Sequence, residues 1–356
     1  MIGAGIAGLG CARHLAQKGK HVVVLEQNEP GSAASGVNAG TLAYQNKREP
    51  LLAFYREALE EWARLRQTLG EIGHGQPGGL HVASAAERAE LERVSGARAA
   101  MGAPVEWLEG RKLRARAPWL GPEVDAATYC VRDGYANPQL ACVALAAECR
   151  RAGVTVVAHA RVRGAALRNR RHALDTSAGD FEAEAAVIAA GPWSAGVAAL
   201  FGRELGVGSS LIVLSVTEPT PSPIDAVVTH VSGRLTLKRL TNGTVLIGGG
   251  WPGKGRFVPY EPGIDAVSLQ LNLRYAAAIV PTLAKIRLVR AWAGFESVTR
   301  DGLPILADLG GETMLVACVP TAAGLTAGPL MGRLAGELVL GKALPEYARP
   351  LARALA

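Results

Sequence analysis

Gly3, Gly5 and Gly8 stand in the spacing G-x-G-x-x-G, and an acidic residue, Glu26, follows the last of them by 18 positions. Residues of these types at this spacing can hold an adenine dinucleotide. Gly3 permits a tight turn, Gly5 lets the backbone approach a pyrophosphate, and Gly8 lets a helix pack close to a sheet. Ile6, Leu9, Ala12 and Leu15 recur at helical spacing as far as Lys18, and Gly19 is a stop signal. That helix, through Ile6 and Ala7, would turn unpaired N–H groups and a partial positive charge toward the phosphates. His21 to Leu25 reads as a buried parallel strand, and Glu26 at its end is placed to accept hydrogen bonds from ribose hydroxyls. A carboxylate there makes NADP the poorest fit.

The elements that must position this set are legible with one gap. The strand that should feed Gly3 is represented by Ile2 alone. In a doubly wound sheet that strand is central, so its neighbours would lose partners, and the expectation is a true start further upstream. After Glu26 comes a stretch of small and polar residues to Gly40. A strongly amphipathic helix follows over Pro50 to Leu69, with Phe54, Ala58, Leu59, Trp62, Leu65 and Leu69 on one face. Gly78 to Ala83 reads as a strand and Ala85 to Val94 as a charged helix. Asn137-Pro138 caps a helix to Arg151, and strands follow at Val154 to Val157 and Ala185 to Ala190. From Gly206 to Phe295 alternating strands replace the helices, with Asn242-Gly243 as a hairpin turn and a helix from Gly263 to Val280. The tail, with a last helix after Gly324, reverts to α/β. The fold expected is α/β: a Rossmann-like cofactor-binding domain (1–78, 134–205 and 296–356) and an inserted, mainly antiparallel β substrate domain (79–133 and 206–295).

Composition narrows the rest. Hydrophobic residues are 49% of the 356, enough for a large core, and no run of eighteen apolar residues lacks a charge, so no transmembrane segment is expected. The net charge of +7 is dispersed, and its densest patch, Arg161 to Arg171, straddles a hairpin. That patch reads as a solvated face, and nucleic acid is not an expected partner. The five cysteines form no CxxC pair, which fits reduced thiols in the cytoplasm. The seven histidines show no ligand spacing, and no metal site is read from them.

Taken in order, several short motifs resemble the FAD-dependent D-amino acid oxidase family, the group containing glycine oxidase, sarcosine oxidase and D-amino acid dehydrogenases. They are Gly3 to Gly8 with Glu26, Ser35-Gly36-Val37-Asn38-Ala39-Gly40, Ala190-Gly191-Pro192-Trp193-Ser194, Trp292-Ala293-Gly294-Phe295, Asp301-Gly302-Leu303-Pro304 and Gly324-Leu325-Thr326-Ala327-Gly328-Pro329. The resemblance covers nearly the whole chain and implies FAD. Gly5, Ile6 and Ala7 would hold the pyrophosphate, Glu26 the adenosine ribose and Val162 the adenine. Ser35, Asn38, Ala39 and Gly40 would meet phosphate and the flavin edge, although Ser35 also reads as a turn residue. Gly191 and Trp193 would line the cofactor, with core packing the alternative for Trp193. The turn at Gly324, Leu325 and Thr326 would aim N–H groups at the flavin pyrimidine.

The implied activity is oxidation of an amino acid or amine C–N bond by hydride transfer to flavin N5, giving an imine that hydrolyses. The sequence departs from the family where substrate should be gripped. Glycine oxidase-like members carry Arg-Pro after the Ala-Gly-aromatic strand, and here Glu296-Ser297 stand there. Either another cation (Lys238, Arg239, Arg256 or Arg300) takes the role, or the substrate presents a cation to Glu296, or Glu296 pairs with Arg290 or Arg300 and faces away. Lys238 to Trp251 also looks like subunits of multi-subunit amino acid dehydrogenases, which implies partner subunits and an electron acceptor other than oxygen; the place expected is the cytoplasm, or the periphery of the inner membrane. A non-catalytic assembly subunit and an NAD-dependent dehydrogenase are the rival readings.

Overall fold

The computed structural model describes residues 1–311, 313–321 and 323–352. The helix Ile6–Gln17 starts directly after Gly5 and buries Ile6, Leu9, Cys11, Ala12 and Leu15, the face set by its periodicity. Strand Val23–Leu25 pairs in parallel with Thr155–Val157. Ala185–Ile188 pairs in parallel with Met314–Val319, which has Ile305–Asp308 antiparallel on its far side. Ile2 joins the two groups through bridges to Leu25 and Ile188. Its N–H donates to Val187 O at 2.9 Å, and Ala189 N donates to Ile2 O at 2.8 Å. Met1 to Gly3 therefore run between the C-terminal ends of Val23–Leu25 and Ala185–Ile188.

The last helix, Gly324–Val339, lies against the first one with backbone touching backbone. A Cβ added at Gly332 would stand 2.2 Å from Ala7 O. Pro329, inside that helix, has no N–H to offer the Leu325 carbonyl. Trp62 of the helix Leu52–Leu69 supplies the missing donor, its Nε1–H reaching Leu325 O at 3.0 Å and Thr326 O at 3.2 Å. Phe54, Ala58, Trp62, Leu65 and Leu69 are buried, as the amphipathic pattern requires, while Leu59 is half-buried.

The other half is an eight-stranded sheet, in the order Leu288–Thr299, Val207–Thr217, Val245–Gly248, Thr236–Arg239, Val227–His230, Gly79–Ala83, Ala126–Cys130, Val105–Glu109. Every neighbouring pair is antiparallel except Val227–His230 with Gly79–Ala83. The strand Leu288–Thr299 runs through residues 295 and 296 without a break, so it carries side chains from this sheet to the cofactor-motif half.

One local expectation is corrected. The helix expected from Gly263 begins at Ala266, where the Asp265 side chain accepts from Val267 N at 3.1 Å. The preceding residues pair instead as a hairpin, Lys254–Arg256 with Glu261–Gly263. The small-residue stretch after Glu26 contains one turn of helix, Ala34–Val37.

Candidate functional site

A cavity of about 600 Å³ opens at the C-terminal ends of Val23–Leu25 and Ala185–Ile188, the edge at which open α/β sheets take ligands. Of the residues expected there, Gly3, Gly5, Ile6, Ala7, Glu26, Ser35, Asn38, Val162, Gly191, Trp193, Gly324, Leu325 and Glu296 line it. The remainder stand behind the wall. Gly8 packs the helix onto the turn, since a Cβ there would lie 2.0 Å from Gly3 O. Thr326 is buried and donates its hydroxyl to Thr41 O at 3.1 Å. Ala39 O accepts from Lys238 Nζ at 2.7 Å, and Gly40 N donates to Asn38 Oδ1 at 2.8 Å.

The lining fits an adenine dinucleotide on four counts. Gly3 takes φ +105°, and a Cβ there would lie 2.5 Å from Ala189 O, so only glycine makes this turn. A Cβ at Gly5 would meet nothing but the Ser35 side chain, with Oγ at 2.9 Å, so the floor between them stays open. Ile6 N donates to Ser35 Oγ at 3.0 Å at the helix N-terminus, where the positive end of the peptide dipoles faces the cavity. Glu26 accepts from Ala4 N at 2.8 Å and Asn28 N at 2.9 Å, one bond on each oxygen, and a carboxylate retains further lone pairs for hydroxyls.

Charge is divided along the cavity. Among the described lining residues the two cations, Arg161 and Arg163, flank Val162 at the Glu26 end, where Ala160 N donates to Glu26 O at 2.7 Å. Both are exposed, as a solvated face requires, and both also line the cavity. The other end carries Glu296, Ser297, Pro320 and Thr321 with no Lys, Arg or His among the described lining residues.

Glu296 is half-buried on Leu288–Thr299, and burial alone pushes its carboxyl up to about 7. Trp292, Gly294 and Glu296 share one face of the strand. Trp292 Nε1 donates to Val37 O at 2.7 Å, and a Cβ at Gly294 would stand 2.3 Å from Val37 Cγ2, so this face lies against Ala34–Val37.

An ion pair of Glu296 with Arg290 or Arg300, one of the three alternatives, is absent among the described residues. Arg290 sits six residues back, about 20 Å along an extended strand, where its guanidinium stacks 5.9 Å from the Trp292 ring. Arg300 is exposed past the end of the strand. The alternative cations do not reach the cavity lining either. Arg239 Nε donates to Thr220 O at 3.3 Å, and Arg256 is exposed on the hairpin and paired with Glu261 at 2.7 Å. Lys238 is buried under the Asn38–Thr41 stretch, donating to Ala39 O and Thr41 Oγ1, and burial pushes its amine down to about 7.

Trp193 both lines the cavity and packs in a cluster. Its ring lies 5.0 Å from Phe257 and 5.4 Å from Tyr260, and both of those rings contact Phe295, at 5.2 and 5.5 Å. The hairpin that brings Phe257 and Tyr260 had no alternating signal in the sequence.

The model of the FAD dependent oxidoreductase family (DAO) matches residues 1–338. Glycine oxidase of Geobacillus kaustophilus (strain HTA426) is 28% identical over 355 residues, covering 95% of this chain and 92% of the relative. Sarcosine oxidase subunit beta of Rhodobacter capsulatus is 25% identical, covering 95% and 84%. The crystal structure of the Geobacillus kaustophilus glycine oxidase superposes with a TM-score of 0.90 at 26% identity, covering 99% of this chain and 97% of that one.

Proposed function

The chain belongs to the FAD dependent oxidoreductase family, and from that premise we propose that it oxidises the C–N bond of a small amine or amino acid to an imine, which water then hydrolyses. Bound FAD supplies the hydride acceptor for this chemistry, at its N5. The observation that carries the reading is the single cavity that gathers the glycine turn, Glu26, Val162, Gly191 and Gly324 from four separate stretches of sequence.

In this reading Gly3, Gly5, Ile6 and Ala7 hold the pyrophosphate, Glu26 takes the ribose hydroxyls and Val162 meets the adenine. Ser35 and Asn38 border the phosphates, while Ala39 and Gly40 fix the backbone beside them. Gly191 and Trp193 form one wall. The first turn of Gly324–Val339, with Leu325 and Thr326, directs N–H groups and their partial positive charge to where negative charge gathers on reduction. Trp62 holds that turn in place. The reaction itself asks mainly for positioning of the amine carbon: in this reading the Rossmann-like half carries the cofactor, and the eight-stranded half borders it through Glu296 and Ser297 of Leu288–Thr299.

Likeness to a sarcosine oxidase subunit beta supports assembly with partner subunits. Turnover of a panel of amines and amino acids, run with oxygen and with a dye acceptor, tests the reaction. Release of an aldehyde or keto acid together with amine or ammonia is expected; no carbonyl product with either acceptor refutes it.

A further inference from the structure

We propose that Glu296 receives the ammonium group of the substrate, and that the substrate is an amine with no carboxylate next to its nitrogen. The proposal rests on the reading of this cavity as a site of C–N oxidation and names its substrate class.

Three observations carry it. Glu296 lines the cavity, half-buried, with no cation or hydrogen-bond donor on its carboxylate among the described residues. The two cations of the lining, Arg161 and Arg163, stand at the opposite, Glu26 end. An α-amino acid brought to Glu296 would therefore set its carboxylate in partly desolvated surroundings beside a like charge, with no guanidinium or ammonium to hold it. An amine brings the opposite charge and satisfies the carboxylate. Third, Trp193 lines the same cavity on the turn Gly191–Trp193, which abuts the strand: a Cβ at Gly191 would stand 3.8 Å from Ser297 Oγ. A carboxylate together with an indole in one lining is a combination that favours organic cations over anions.

The surroundings leave the charge of Glu296 uncompensated. Its neighbour across the antiparallel pair is Ser210, on a strand, Val207–Thr217, without a charged residue. Ala34–Val37 and Gly191–Trp193 carry no charged residue, and Glu261–Gly263 offers only Glu261, engaged with Arg256. The ammonium can pass one proton to the carboxylate, breaking an N–H bond and forming an O–H bond, and so become the neutral amine whose lone pair oxidation requires. Burial, which raises the proton affinity of Glu296, favours that transfer.

The test uses the flavin-loaded enzyme and two unreactive probes, tetramethylammonium and acetate, titrated at pH 8 while the visible flavin spectrum is followed. Tetramethylammonium should bind and acetate should not. E296Q should weaken the cation at least tenfold, and E296D should recover part of the loss, with flavin content and melting temperature confirming that each variant is folded. Cation binding by the wild type should also strengthen from pH 6 to pH 8 as the carboxylate ionises, a dependence absent from E296Q. An unchanged cation Kd in E296Q overturns the proposal. So does preference of the wild type for acetate, or an E296Q effect confined to the flavin reduction potential. Reduction of the flavin by glycine, sarcosine or D-alanine with no dependence on Glu296 sinks the substrate class and leaves C–N oxidation standing. Glu296-dependent cation binding in an enzyme that no amine reduces supports the cation site and sinks the oxidation reading instead.

Discussion

Glu296→Gln should stabilise the protein at pH 8 more than at pH 5. Burial raises this carboxyl from 4.5 to about 7, with no ion pair among the described residues offsetting it. Well below pH 4.5 the group is neutral in both folded and unfolded chains, and the position costs nothing. As pH rises through this window the unfolded chain releases a proton that the folded chain keeps, so stability falls; the loss is complete above the folded value. A difference of this size corresponds to roughly 3 kcal/mol at pH 8 and about 1 kcal/mol at pH 5, upper values because the side chain retains some exposure. Glutamine has nearly the same shape and no charge to desolvate. With unfolding entropy at about 2.1 cal/mol/K per residue, a difference of about 2 kcal/mol is about 3 °C in a chain of this length. Thermal melts of wild type and variant at the two pH values measure it. A shift that is equal at both pH values, or a variant less stable at pH 8, would refute the picture of an unpaired carboxylate facing the cavity.

Other substitutions separate binding from folding. Gly5→Val should fold, because the new side chain meets only Ser35, yet lose its flavin because the branch enters the cavity; Gly8→Val should lose soluble protein as well, because Gly3 O stands 2.0 Å from the new Cβ. The ratio of flavin to protein absorbance, with circular dichroism, distinguishes the two, and retained flavin in Gly5→Val would contradict the site. Trp62→Phe leaves Leu325 O without a donor beside Pro329 and should cost about 1–3 kcal/mol, read as a lower denaturation midpoint. The five cysteines are all buried, with the thiols of Cys11, Cys130, Cys142 and Cys149 pushed up to about 12 by burial. A thiol reagent should therefore label none in the native protein and all five after denaturation.

The cofactor half was legible because its signals are local. Glycine spacing, helical periodicity and an acid at the end of an apolar run each lie within about thirty residues, and Asn137 caps its helix as read, accepting from Gln139 N and Leu140 N. What the sequence concealed depends on contacts between distant segments. The environment of Glu296 follows from strand geometry: alternation sets it on the face of Trp292 and Gly294, and extension carries Arg290 out of reach. Period and length together could have excluded that pair. The hairpin bearing Phe257 and Tyr260 is rich in Gly and Pro, and it is held by stacking on Trp193 and Phe295 rather than by an alternating pattern of its own. Trp62 read as core and is core; its second role, as donor to a carbonyl orphaned by Pro329, required knowing that the two helices touch.

The most direct test of the central claim is anaerobic mixing of the purified yellow enzyme with a panel of alkylamines, N-methylamines and amino acids, watching the flavin absorbance. The account predicts bleaching by at least one amine and one equivalent of carbonyl product per flavin reduced. A protein that carries no flavin, or whose flavin stays oxidised with every compound, would contradict it.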